Sequence, residues 1–403
     1  MNILIIGPYA PHGQVGAIRI LSLSRYLAAK GHDITVLCLS EKTLKQIEPK
    51  ELTAEIPKDV TIRTYDITVQ ANSLMKKNLL NSKEFANELA NLLDTNVFDV
   101  ALVSGGPFYT FPSMKQIVQR DIPFMVDYRD LHISSPDKRK RKGRINKIKF
   151  WLTYPFRYYQ EYSCVRRASC ISVVAPEMIE NLQSYFHLKK DKFKVIYNGY
   201  DDFELKNLKC IAPKKNVFRI GYFGKLMYYN QEYTQMLFRA IEKLIQAGME
   251  IELMHIGPEN PLIQDFFSKE KLNDRGWYKC TGLMNYRQGM ELLSSCNVCS
   301  LEYVYPEGPG TKIFDYIYLN KPIIGITRPG IMLEKMIKSF DHGYICHTED
   351  DIIKTILKIK SNNIETLISD NQKNEIVKSY SRSNQNIKFE NALIEICGGY
   401  KDE

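Results

Sequence analysis
The sequence predicts an α/β fold built from two doubly wound parallel-sheet domains facing each other across a cleft. Three observations lead there. A chain of 403 residues exceeds what one ordinary core holds. Short apolar runs alternate with helical patterns, the rhythm of a parallel sheet with crossover helices. That rhythm restarts near residue 217, behind a polar stretch containing Asp201, Asp202, Pro213, Lys214 and Lys215. The expected organisation is a Rossmann-like domain over 1–200, a second over 201–380 and a closing helical segment over 381–403 that returns to the first domain. Ligands of such sheets bind outside the carboxyl ends of the strands, so both domains would turn those ends toward the cleft.

In chain order, strands are expected at Asn2–Ile6, Asp33–Leu39, Val60–Tyr65, Asp99–Ser104, Pro123–Tyr128 and Ile171–Val174. The amphipathic stretches Ala17–Lys30 and Lys83–Leu93 supply helices between them. The second series reads Val217–Phe223, Glu250–Ile256, Tyr278–Thr281, Val298–Leu301, Pro322–Ile326 and Tyr344–Cys346, the apolar run of the fourth continuing to Val304. Arg382 to Cys397 has a helical pattern.

With 44% apolar and 25% charged residues the chain is ordinarily globular. The opening Met-Asn-Ile-Leu-Ile-Ile-Gly has no basic leader and too short an apolar run for a signal peptide. No later stretch approaches the ~20 apolar residues of a membrane span, and a cytosolic protein is expected. Nine scattered cysteines read as reduced thiols rather than a disulfide framework. Cys296 and Cys299 form a Cys-x-x-Cys where a helix hands over to a strand. With no second pair and no nearby histidine ligands, zinc is not expected there.

Chemistry concentrates in residues 307–315, Glu-Gly-Pro-Gly-Thr-Lys-Ile-Phe-Asp. Two carboxylates stand eight positions apart around a glycine-rich turn, ahead of a helix expected over Thr311–Leu319 with Thr311 as its cap. A helix start offers unpaired backbone N–H groups and a positive dipole end, which attract phosphate. Glu307 and Asp315 would flank that anion and accept hydrogen bonds from sugar hydroxyls, an arrangement suited to a nucleotide-sugar. An acidic loop ahead of an ordinary amphipathic helix is the alternative.

The segment resembles the donor-binding Glu-x7-Glu signature of retaining glycosyltransferases with the GT-B architecture, specifically the family 4 (group 1) type. Glu307, Gly308, Gly310 and the acid at 315 fall at the family's Glu, Gly, Gly and Glu, the second acid here being Asp. The resemblance implies that Glu307 holds donor sugar hydroxyls, that Asp315 holds the ribose, and that Gly310, Thr311 and Lys312 meet the diphosphate.

Other pieces follow in family order. The loop Gly7–Gly16 has glycines at 7, 13 and 16, which permit tight turns and close backbone approach. Its spacing is not Gly-x-Gly-x-x-Gly, and on its own it reads equally as a flexible strand-to-helix loop. It resembles the family's glycine loop and following Arg, here Arg19, which makes Gly13 and Gly16 donor contacts. The segment Val126–His132 packs five polar or ionisable groups into seven residues at a strand end. Asp130, with His132 second, would orient or deprotonate an acceptor hydroxyl; Arg129 would hold a phosphate or pair with a carboxylate. A structural Arg–Asp pair is the competing reading for Arg129. Asp-x-Arg-Asp-Leu resembles an element of family 4 enzymes that build bacterial surface polysaccharides, where Trp is common at the place of His132.

Gly221-Tyr222-Phe223-Gly224-Lys225-Leu226 resembles the family's Gly-Arg-Leu element, in which an Arg, and a Lys five residues on, neutralise the diphosphate. Gly224 and Lys225 match it, Lys225 supplying a point charge in place of a planar fork. The second position is Asn230, which is uncharged, and Lys312 is the nearby cation that would replace it. Softer matches are Val195–Asp201 near the interdomain crossover, His255–Pro258, Asn320–Ile323, and Thr281–Met284, whose loop with Leu283 would read the nucleotide base through its backbone.

Lys138 to Lys149 carries eight Lys or Arg in twelve residues and passes into Phe150, Trp151, Tyr154, Phe156, Tyr158, Tyr159 and Tyr162. Such a segment suits an anionic membrane surface, or single-stranded nucleic acid, or simply a solvated loop beside a packed helix. A membrane contact over 138–162 near a lipid-linked acceptor is the preferred reading, without nucleic acid. Pro155 argues against one uninterrupted helix.

The expectation is a retaining, metal-independent glycosyltransferase, moving a sugar from a nucleotide diphosphate donor as co-substrate, with no cofactor, to a glycan acceptor. Its place would be the cytoplasmic side, peripheral on the membrane. Rival readings are a catalytically silent subunit of the same fold, a basic-patch binding protein resting on 138–162, and a sugar-nucleotide epimerase.

Overall fold
The computed structural model describes residues 1–10, 15–47, 57–68, 74–135, 144–228, 230–270, 272, 276–302, 308–362 and 375–401. The chain divides into two compact units, Met1–Tyr197 with Arg382–Glu403, and Asn198–Ser381.

The first unit holds seven parallel strands in the order β3-β2-β1-β4-β5-β6-β7. These are β1 Asn2–Ile6, β2 Asp33–Leu39, β3 Val60–Tyr65, β4 Val100–Gly105, β5 Phe124–Tyr128, β6 Cys170–Val173 and β7 Phe193–Val195. Ile3 through Ile6 and Val100 through Val103 are fully buried, as strands covered by helices on both faces must be. Register follows from this pattern: Ile3 pairs with Ile34 on one side and with Val100 on the other. The short β7 was not among the expected strands and meets the expected crossover element Val195–Asp201 only at Val195. With three residues it is too brief to leave a periodic signal.

The C-terminal helix Arg382–Lys401 belongs to this unit. Its Phe389, Ala392 and Leu393 pack into the cluster formed by Ile20, Leu23 and Leu27 of the helix Val15–Ala29. Glu390 of the same helix accepts from the Tyr26 hydroxyl at 2.7 Å and lies 3.0 Å from His32 Nε2.

The helix Arg144–Arg167 runs unbroken through Pro155, against the sequence expectation. Proline removes the hydrogen bond to the carbonyl of Trp151, four residues back. Trp151 is 61% exposed, on a side of the helix that faces solvent.

The second unit holds six parallel strands in the order β10-β9-β8-β11-β12-β13. They are β8 Phe218–Phe223, β9 Ile251–Ile256, β10 Tyr278–Cys280, β11 Val298–Glu302, β12 Ile323–Ile326 and β13 Gly343–Cys346. Its core joins Ile220, Leu253, Val298 and Ile324 from the sheet to Phe238, Phe267 and Trp277. The strand expected to reach Val304 ends at Glu302, and residues 303–307 lie outside the described residues. In both units the chain starts at an inner strand, builds outward on one side, then returns to build on the other. The order reverses between β1 and β4 in the first unit and between β8 and β11 in the second.

Candidate functional site
The carboxyl ends of β8 and β11 are where a doubly wound sheet leaves a crevice, because their crossovers depart to opposite sides. A pocket of about 160 Å³ lies there, lined among others by Tyr222, Lys225, Asn230, Glu302, Thr311 and Lys312.

Several groups at and around the pocket are held by neighbours. Gly224 has φ of 107°, a conformation costly for a side-chain-bearing residue, and a Cβ there would stand 3.0 Å from Lys312 Cε. The Gly224 carbonyl lies 2.8 Å from His255 Nε2, while His255 Nδ1 lies 2.7 Å from the Tyr278 hydroxyl. A carbonyl only accepts, so Nε2 carries the hydrogen and Nδ1 takes the Tyr278 O–H. Burial also lowers the His255 pKa, which keeps the ring neutral in this role. Gly257 closes the support, since a Cβ on it would sit 2.1 Å from the Gly224 oxygen.

Lys312 is the first residue of the helix Lys312–Tyr318. Its ammonium donates to the Tyr222 hydroxyl and lies 4.0 Å from the centre of that ring. Burial lowers the Lys312 pKa, against the pull of Glu302 and then Asp315. Lys225 is exposed beside the pocket, its ammonium 5.7 Å from the Tyr228 ring centre. Asn230 donates through Nδ2 to the Glu302 carbonyl at 2.9 Å, and its Oδ1 is buried without a partner among the described residues.

Glu302, at the end of β11, was not singled out from the sequence. It is 4% exposed, and neither carboxylate oxygen makes a well-formed hydrogen bond among the described residues. Burial pushes its carboxyl up to about 7, with the Lys312 charge and then the Ser300 hydroxyl pulling the other way. A lone acid inside the apolar run 298–304 was the available signal, because unpaired acids are rarely buried without a role.

Thr311 does not cap the helix after it. Its own backbone is already helical, with φ −102° and ψ −34°, and its side chain makes no capping hydrogen bond. An N-cap hydroxyl reaches back to the helix from an extended backbone, which Thr311 lacks. The helix spans seven residues, Lys312 to Tyr318, short of the Thr311–Leu319 expected.

The pocket thus gathers Lys225, Gly310, Thr311 and Lys312. Gly310 has φ of 72°, a turn conformation suited to glycine, and Gly308 is buried just before it. Asp315 is 8% exposed and accepts a hydrogen bond from the Tyr286 hydroxyl. The Tyr286 ring stacks on Phe223, centroids 6.0 Å apart. Leu283 stands 66% exposed after β10, beside Gly282 with φ of 74°. Gly13 and Glu307 lie outside the described residues, as do 138–143 of the basic run.

The first unit carries its own group. Gly16 is the second residue of the helix Val15–Ala29. Arg19, three residues further along, is a structural anchor. It is 6% exposed and forks onto Asp127 through Nε at 2.9 Å and Nη2 at 3.0 Å. Beyond β5, Arg129 donates to the Gly106 carbonyl at 3.1 Å and its Nε is buried without a partner among the described residues. Burial lowers its pKa, with Asp127 and then Asp130 opposing. It therefore does not form the close Arg–Asp pair weighed for it, since Asp130 beside it is exposed and Asp127 is taken by Arg19. His132 stacks on Phe108 at 4.1 Å, with Arg157 Nη2 3.3 Å from its Nε2. Glu161 brackets the segment, accepting from the Tyr128 hydroxyl at 2.9 Å and the Ile133 N–H at 3.1 Å. Among the described residues no group of three or more His, Cys, Asp or Glu is placed to hold a metal ion.

Two doubly wound parallel sheets with such a pocket at the switch point of the second define the GT-B class of fold. The model of Glycosyltransferase Family 4 matches residues 16–202. Sucrose-phosphate synthase from Thermosynechococcus elongatus shares the fold with a TM-score of 0.72 and 14% identity, over 99% of this chain and 100% of that one. HepE of Anabaena, in complex with UDP, gives 0.67 and 16%, over 98% and 100%. WaaG, a glycosyltransferase involved in lipopolysaccharide biosynthesis, gives 0.66 and 12%, over 98% and 99%. No curated protein matches in sequence. The chain has the GT-B fold, and its match to the family 4 model covers residues 16–202, chiefly the first unit.

Proposed function
We propose that the protein is a retaining, metal-independent glycosyltransferase that moves a sugar from a UDP- or GDP-linked donor to a glycan acceptor in bacterial surface polysaccharide assembly. The observation that carries this reading is the second unit's pocket, where Lys225 and Lys312 stand with Gly310, Thr311 and Asn230 at the switch point of a parallel sheet. Two cations among polar groups, with a glycine turn beside them, suit a diphosphate leaving group. In this reading Lys225 and Lys312 neutralise the charge that builds on the departing diphosphate, and Asp315 with Glu307 takes the donor's hydroxyls. Asp130 and His132 serve the acceptor, Asp130 being the more accessible because its side chain is exposed while the His132 ring is held by Phe108. HepE, a structural relative, is described with UDP, which supports a uridine nucleotide as the first to try.

A lipid-linked acceptor fits the helix Arg144–Arg167. Ile148, Trp151, Leu152, Phe156 and Tyr159 are 53%, 61%, 77%, 43% and 66% exposed, at helical spacing, directly after the basic run. Tyr158 instead packs inward, 5.6 Å from both Tyr162 and Phe186. One face thus serves the core, and the other carries apolar groups beside positive charge, as a peripheral membrane contact needs. Among the described residues no helix is long and apolar enough to cross a membrane.

The test is thermal stabilisation of the purified protein by UDP, GDP, ADP, CMP and dTDP, followed by incubation with the matching nucleotide-sugars. One selective nucleotide, with transfer to a glycan acceptor, supports the reading. Free sugar or an epimer without an acceptor points to the epimerase, and selective binding without turnover to the silent subunit.

A further inference from the structure
The pocket holds an acid and an amine that do not pair. Glu302 makes no hydrogen-bonded pair with Lys312 among the described residues, although both line the same space of about 160 Å³. Glu302 is 4% exposed, and among the described residues both its oxygens and the Asn230 Oδ1 beside it lack a hydrogen-bond partner. Buried polar groups ordinarily find partners, and a cluster that has not is completed by something that enters.

The groups facing Glu302 define what that is. The helix Lys312–Tyr318 presents the Lys312 ammonium, with Asp315 one turn behind and Tyr316 also within electrostatic reach. β8 and its loop present Tyr222 and Lys225, and β11 itself presents the Ser300 hydroxyl. Asn230 is fixed by donating to the Glu302 backbone. Cations and donors dominate, so the ligand is an anion. An anion brought beside an ionised carboxylate with no water between them is repelled, whereas a neutral carboxyl has an O–H to donate.

We propose that Glu302 is a proton-linked positioning residue of the anion pocket: when a phosphate takes Lys312 as its counter-charge, Glu302 takes up one proton from solvent and donates it in a hydrogen bond to a phosphate oxygen. No covalent bond changes, and the proton returns to solvent when the phosphate leaves. This rests on the reading that the pocket takes the donor's diphosphate. It adds a residue outside the motif that carries that reading, and a direction of pH dependence. Lys312, which lines the same pocket as Asn230, supplies a cation where Asn230 has none.

The experiment is calorimetric titration of the full chain with UDP and with inorganic pyrophosphate, near pH 7.5, in buffers of differing ionisation enthalpy. A net uptake approaching one proton per UDP is expected for the wild type. Its affinity should then fall toward tenfold per pH unit as the pH rises further, since each linked proton contributes that slope. Glu302→Gln, which keeps the shape and a donor, should bind UDP with little uptake and a flatter pH profile. Uptake that persists or grows in Glu302→Gln assigns the proton to Lys312 and overturns the proposal. So does UDP binding to the wild type without uptake, a measurement that needs no variant. Failure of both UDP and pyrophosphate to bind at any pH tested overturns the diphosphate reading of the pocket together with this inference.

Discussion
Arg19 and Asp127 form a joint whose removal the geometry prices closely. Asp127 is fully buried on β5 and accepts two bonds from Arg19 and one from the Ser172 hydroxyl at 2.7 Å. Arg19 also donates to the carbonyls of Ile196 at 2.8 Å and Tyr197 at 2.6 Å, and its guanidinium lies 4.7 Å from the Phe389 ring centre. Arg19→Met leaves a carboxylate without its cation and two carbonyls without their donor. Stranding one partner of a buried pair costs about 3–5 kcal/mol. Arg19→Met with Asp127→Val removes the charge problem and leaves the two carbonyls and the Ser172 hydroxyl, at about 1 kcal/mol each, so the double variant is expected to lose only about 3 kcal/mol. The assay is denaturant unfolding joined to hydrogen exchange of β1 and β5, because a chain of two units need not unfold in one step. A single variant within about 1 kcal/mol of wild type, or a double variant as damaged as the two singles summed, would refute the reasoning.

Gly257→Ala drives a Cβ into the Gly224 oxygen, and since backbone rather than a flexible side chain must move, it should cost about 2 kcal/mol or more and abolish thermal stabilisation by UDP. Glu302 ionises near 4.5 when unfolded and near 7 when folded, so the folded state holds its proton more tightly. Its favourable contribution is complete below about pH 4.5 and is lost as pH rises through about 7, and denaturation midpoints at pH 5 and 8 should show the wild type losing stability relative to Glu302→Gln. Tyr286→Phe removes the hydroxyl donor to Asp315 and should cost about 1–2 kcal/mol by denaturant unfolding, more than an exposed contact would. Trp151→Ser with Leu152→Ser should lower partition onto anionic vesicles several-fold while leaving the melting temperature unchanged, because both side chains are exposed.

The strands were legible because parallel sheets are covered on both faces, so each strand is a continuous apolar run that stands out against its helices. Bounds shifted by a residue where a run opened on a polar or rigid position, as at Asp99, Pro123 and Glu250. The cations were legible as motif positions: Lys225 and Lys312 both line the pocket. Their supports were not. His255, Tyr222 and Glu302 act through contacts made across the sheet, and an apolar strand with one polar residue says nothing of what that residue will face. Thr311 failed as a cap for the converse reason, that residue type was read without the backbone angles that decide capping.

The pocket's supports lie on separate strands and converge on one small space. Gly224's carbonyl is held from β9 by His255, Asn230 is tied to β11 through the Glu302 carbonyl, and Lys312 is tied to β8 through Tyr222. Each bond is internal to the protein, and groups held by their own fold cost less ordering when an anion arrives, which leaves more of the interaction free energy for it. Glu302 is the member of this set whose carboxylate has not been satisfied in the same way. A site otherwise organised in advance therefore concentrates its response on one proton. That is why pH is expected to govern occupancy of this pocket.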